Sequence, residues 1–176
     1  MIFISKEKGD KEMKQNIIAG IVIIVLVAGF ALFNILTQKE PVEYFTVTGI
    51  KSYENSLISE YKTLKNMVKD CGLKENITSS KTYEKHNILE YFNEEYFSNK
   101  KLAVVVLYED NSKDYVYSIG DVIYNEDKTE ATIKYTYKVG TFADTFAATW
   151  HNYLFVELEP TVENANFILD NNSAEK

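Results

Sequence analysis

The chain has one cysteine, Cys71, and two histidines, His86 and His151. An internal disulfide is therefore excluded, and the fold must stand on its apolar core alone. A zinc site needs three or four His, Cys or acidic ligands at close spacing, and this scattered supply points to no metal. Nothing around Cys71 matches a nucleophile signature, and it stands just before Gly72 at a helix end. It reads as a structural thiol. Proline (2) and glycine (7) are scarce, which is not the composition of a disordered chain. No Gly-rich phosphate loop or dinucleotide fingerprint occurs, so no cofactor is expected. A basic excess is missing too. The net charge is -7, which argues against nucleic acid and against docking by charge on an anionic membrane surface.

Against these gaps stands one long apolar run. Residues 17–36, IIAGIVIIVLVAGFALFNIL, pass without a charge. As a helix at about 1.5 Å per residue they reach roughly 30 Å, the thickness of a bilayer's hydrocarbon. We expect a transmembrane helix over 17–37. A cleaved signal peptide is the alternative, since Gly29-Phe30-Ala31 offers a small-x-small cut. The apolar run continues through Leu32, Phe33, Ile35 and Leu36, which favours an uncleaved anchor. Lys6, Lys8, Lys11 and Lys14 precede the run, and only Lys39 follows it closely. The rule that positive charge stays inside puts the tail 1–16 in the cytoplasm and the remainder outside. That tail carries +1 against Glu7, Asp10 and Glu12, so the remainder carries -8. No lipid-attachment cysteine follows the run, and no G-x-x-x-G pair predicts dimerisation through it.

Residues 38–43 form a short polar link containing Pro41, so the domain that follows should sit close to the membrane. About 140 residues follow the apolar run, enough for one domain with a modest core. Thirteen Tyr and ten Phe make the whole chain rich in aromatics. A first strand is expected over 44–50. A helix capped by Ser52 and starting at Tyr53 would present Leu57, Ile58, Tyr61, Leu64 and Val68 on one face, ending at Gly72. Residues 74–87 read as loop and 84–97 as a short helix or turn. The run 102–107, LAVVVL, reads as a central strand buried on both faces. Two alternating strands follow, with a bulge at Gly120 in the first. A strand from Trp150 to Glu159 and a short last strand at 165–169 complete the pattern. The expected fold is α+β: a transmembrane helix, then a domain over 44–170. Its sheet is mostly antiparallel, with about five or six strands and one packed amphipathic helix. Residues 171–176 are expected to be a flexible tail.

The segment Tyr91-Phe92-Asn93-Glu94-Glu95-Tyr96-Phe97-Ser98-Asn99-Lys100-Lys101 leads into the apolar strand Leu102-Ala103-Val104-Val105. Downstream, Ala143-Asp144-Thr145-Phe146-Ala147-Ala148-Thr149-Trp150-His151 precedes Leu154-Phe155-Val156-Glu157. Together these resemble a poorly characterised class of membrane-tethered extracytoplasmic domains of Firmicute bacteria, similar to the C-terminal domain of protease-complex-associated proteins. The resemblance spans roughly 47–169. Asp110-Asn111-Ser112-Lys113 stands where those relatives often carry a Gly-rich segment. The resemblance implies an anchored accessory domain and brings no reaction with it.

No catalytic, cofactor-binding or metal residue is assigned. Asp110, Asn111 and Asp114 supply oxygen ligands, but Lys113 intervenes and the EF-hand glycine is missing, so a solvated turn is expected. The candidate partner-binding residues are Phe142, Phe146, Trp150 and His151, an aromatic-rich connection running into a strand. Core packing is the other reading of Trp150 and His151. The expected function is a single-pass, membrane-anchored extracytoplasmic module at the cell membrane. It would bind a cell-surface protein or an envelope polymer without catalysis. The alternative is a cell-envelope hydrolase with an unrecognised carboxylate pair, which twenty-six acids leave open. A sensor passing a signal through the helix is a third reading, lowered by a cytoplasmic tail too short for a signalling domain.

Overall fold

The computed structural model describes residues 40–108, 115–139 and 150–170. The expected span 17–37, the tails 1–16 and 171–176, the turn at 109–114, Phe142 and Phe146 lie outside the described residues. Among the described residues no helix is long and apolar enough to cross a membrane. The chain divides into two units at Glu40/Pro41, and the architecture below is that of the second.

The apolar run 102–107 lies within strand β5 (Lys101–Tyr108). It is buried on both faces because each face enters a different core. Leu102, Val104 and Val106 pack into one core; Ala103, Val105 and Leu107 pack into the other. Strand β8 (His151–Leu158) divides its side chains the same way. Tyr153 and Phe155 enter the first core, and Leu154, Val156 and Leu158 the second. Side chains alternate across a strand, so two adjacent central strands can serve two cores at once. β5 and β8 pair antiparallel along their whole length.

Four further strands complete this sheet: β1 (Phe45–Gly49), β2 (Ser56–Ile58), β3 (Asn76–Ser79) and β4 (Lys85–Asn87). The order is β2-β5-β8-β1-β3-β4, antiparallel throughout. Helix α1 (Tyr61–Cys71) contributes Leu64, Met67 and Cys71 to the first core. Those positions fall at helical spacing on one face. Gly72 ends the helix at φ 60, where its N–H reaches the Lys69 and Val68 carbonyls. Two short helices, α2 (Ile88–Tyr91) and α3 (Glu94–Asn99), are each opened by an asparagine cap. Asn87 accepts from the Leu89 and Glu90 amides, and Asn93 from the Tyr96 amide.

The second core is closed by a three-stranded sheet of β6 (Tyr115–Tyr124), β7 (Glu130–Val139) and β9 (Asn164–Leu169), in the order β6-β7-β9. The β6–β7 register shifts between Ile119 and Asp121, the bulge expected at Gly120. β7 and β9 run parallel. The result is a layer of helices, a six-stranded sheet and a three-stranded sheet.

The fold is α+β with mostly antiparallel pairing, as expected, and three details differ. The sheet expected as one is two. The helix expected from Tyr53 starts at Tyr61. Residues 56–58 instead pair with Leu102, Ala103 and Val104 as the edge strand β2, because β5 needs hydrogen-bond partners on its outer side. Beyond β2, the Asn55 side chain takes over and accepts from the Val106 amide at 2.7 Å. Third, the loop expected over 74–87 contains the β3–β4 hairpin, whose polar strands carry too few apolar residues to show a period.

Candidate functional site

β1 reads Phe-Thr-Val-Thr-Gly, and its alternation decides where a site can form. Phe45 and Val47 are buried in the first core. Thr46 and Thr48 face the other side of the sheet. Together with Asn76 and Thr78 of β3, Lys85 of β4, Asn152 of β8, and Lys74, Glu75 and Val47, they line a groove of about 370 Å³. The groove is polar: three threonine hydroxyls and two amides, with charge of both signs at its margins. The Thr46 hydroxyl donates to the Thr78 carbonyl at 3.5 Å. Thr48 Oγ1 is buried with no hydrogen-bond partner among the described residues. Glu75 is held by the Asn87 amide at 3.0 Å.

Trp150 stands at one end of this groove. It precedes β8, is 38% exposed, and carries the Lys74 ammonium 5.0 Å from its ring centroid. The register pairs Gly49 with His151, so Trp150 lies at the end of the sheet away from the link that leads into β1. His151 is buried at 7% exposure within β8. Of the four candidate residues, Trp150 thus presents a surface and His151 is enclosed; Phe142 and Phe146 lie outside the described residues.

A second cluster lies on the helix side of the sheet. Tyr91, Asn93, Glu95, Tyr96, Asn99, Lys100 and Glu157 line a depression of about 360 Å³. Its floor is aromatic: Phe92 packs edge-on against Phe45, Tyr91, Tyr96 and Phe155, with centroids 4.9 to 5.8 Å apart. Glu157 is half-buried there. Burial raises its carboxyl above the ordinary range, the Lys100 ammonium opposes this, Glu43 raises it further, and a hydrogen bond from Tyr91 lowers it. Tyr91 in turn is pushed up to about 12 by burial and by the Glu157 and Glu43 carboxylates. Tyr96 is raised by burial and by Glu157. Its hydroxyl donates to the Lys101 carbonyl at 3.2 Å.

Neither cluster was picked out from the sequence. The threonines of β1 carried the signal for the first, because alternate hydroxyls on a strand mean an uncovered face. Glu157 carried the signal for the second, an acid at a position whose strand neighbours Phe155 and Tyr153 point into a core. Among the described residues no group of three His, Cys, Asp or Glu side chains is placed to hold a metal ion. Compared with known families, curated proteins and solved structures, the chain finds no match in any of the three.

Proposed function

We propose that this chain is a single-pass membrane protein, anchored through residues 17–37, whose extracytoplasmic domain binds an envelope polymer without turning it over. The observation that carries the reading is the hydroxyl- and amide-lined groove with Trp150 at its outer end. Glycan strands offer hydroxyls and amides for such a lining and flat sugar faces for an aromatic ring. The resemblance along 47–169 implies the same kind of anchored accessory domain. Trp150 is the one tryptophan in the chain, so its emission reports occupancy directly. We expect the protein to sediment with insoluble envelope glycan and its emission to shift on binding. Trp150→Ala should weaken retention about tenfold, the cost of losing one aromatic anchor. A protein that pellets with no envelope polymer, or a Trp150→Ala variant that pellets unchanged, overturns the glycan reading. Capture of a discrete surface protein instead would move the partner to the protein class.

The Glu157 cluster favours a second reading, an envelope hydrolase. A half-buried carboxyl held towards its protonated form beside a second carboxylate, Glu43, is what acid-base hydrolysis requires. The same glycan incubation tests it by the appearance of new reducing ends. Release that disappears in Glu157→Gln would establish the enzyme; a flat baseline with intact binding keeps the module non-enzymatic.

A further inference from the structure

The β3–β4 hairpin ends in a tip, residues 79–84, that is strained, exposed and tied to the start of the domain. Tyr83 is 80% exposed, the highest exposure among the large apolar residues described, and has φ 60. A bulky side chain in the left-handed region costs free energy and persists only where the surroundings enforce it. Here the surroundings are explicit. Ser79 is buried, and its hydroxyl oxygen accepts from the Lys81 and Thr82 amides at 3.2 and 3.1 Å. The Tyr83 amide donates to the Ser79 carbonyl, and the Ser79 amide to the Glu84 carbonyl, both at 3.0 Å. The turn is locked, and the phenol is held outward.

The same tip is fastened to the residues that lead into β1. The Ser79 hydroxyl donates to the Glu43 carboxylate at 2.7 Å. The Tyr44 amide donates to the Ser80 hydroxyl at 3.0 Å, and the Ser80 amide to the Tyr44 carbonyl at 2.8 Å. Residues 38–43 are the whole link from the expected span, and six residues reach at most about 20 Å. On the anchored reading, a tip fastened at Glu43 and Tyr44 lies within the reach of that link from the bilayer surface. Tyrosine is enriched at that surface, where its ring meets the acyl boundary and its hydroxyl meets the headgroups.

We propose that Tyr83 is an interfacial anchor, inserted at the headgroup level of the membrane in which the chain is held, and that it fixes the domain's orientation on the bilayer. The contact is by partition of an aromatic ring, which an acidic domain can use where docking by charge is closed to it. This rests on the anchored reading above, with the groove and Trp150 then at the opposite end of β1.

The test places the sole tryptophan at the tip. Full-length protein carrying Trp150→Phe and Tyr83→Trp is reconstituted into phosphatidylcholine vesicles, with the native chain, whose sole tryptophan Trp150 stands at the opposite end of β1, as the control. Trp150 is 38% exposed. Vesicle flotation is read first, then quenching by lipids bearing a nitroxide near the glycerol end of the acyl chain. We expect both proteins to float and the emission of the tip variant to be blue-shifted. The shallow nitroxide should quench the tip indole at least about twofold more than the control, as for a ring at headgroup depth. A protein that floats while its tip indole is quenched no more than the control overturns the interfacial contact and leaves the anchor standing. A protein that does not float overturns the anchor, and this proposal with it.

Discussion

Gly49 is placed where the end of β1 passes beneath the turn that closes α1, and the crossing leaves no room for a side chain. A Cβ there would lie 2.5 Å from Leu73 Cδ2, 2.9 Å from Tyr153 Cε2 and 3.2 Å from the Cys71 carbonyl oxygen. The last of these cannot give way, because the Cys71 carbonyl accepts from both the Ile50 and Lys51 amides, at 2.9 and 3.1 Å. Tyr153 is held as well, its hydroxyl donating to the Lys51 carbonyl. Gly49→Ala should therefore destabilise the domain by about 1–3 kcal/mol, the usual cost of overpacking. Thermal unfolding should show it as a midpoint several degrees lower. An unchanged midpoint would mean that the β1 end and the helix turn can separate freely. The same crossing explains Cys71, whose thiol is buried against Tyr153 in the first core. Its sequence reading as a structural thiol matches that position.

Elements with a strong period were legible before the structure, and elements defined by their partners were not. β5, β7 and β8 are long, and their alternation or continuous burial is visible in the residues themselves. The bulge at Gly120 was legible because the apolar phase changes there. β2 was not. Ser56, Leu57 and Ile58 fit a helical stripe with Tyr61 and Leu64, and only the open edge of β5 turns them into a strand. Met67 escaped the expected stripe for the same reason, since a helix started eight residues early projects the wrong face. The division into two sheets was also hidden. β9 joins β7 in parallel, a long-range pairing that no local pattern encodes. At the candidate site, Trp150 was legible as a large aromatic at a strand end. The groove beneath it was not, because its lining comes from β1, β3, β4 and β8, brought together by sheet order alone.

At the scale of the whole molecule, the described groups that respond to pH do so with opposite signs, and their positions separate the two responses. Asp127 is held below its ordinary value by hydrogen bonds from Thr129 in the exposed β6–β7 turn. A depressed carboxyl contributes stability above its unfolded value, and that contribution is lost as pH falls through the folded one. Glu157 has the reverse sign. Its folded value is raised, so its contribution is complete below the ordinary 4.5 and is lost as pH rises through the raised value. Tyr91 adds an alkaline arm, complete below 10 and lost as pH approaches about 12. The combined contribution of these groups is therefore most favourable in the mildly acidic range and declines as pH rises above the ordinary carboxyl value. The decline belongs to Glu157, with Glu43 beside it and Lys100 opposing. Glu157→Gln keeps an acceptor for the Tyr91 hydroxyl and removes the charge. It should flatten the decline between mildly acidic and neutral pH while leaving the acid limb to Asp127. Unfolding midpoints of both proteins across that range decide the matter. A variant that declines as steeply as the native chain would place the neutral-pH loss elsewhere, and the Glu157 carboxyl would then be an ordinary surface acid rather than one strained by its neighbours.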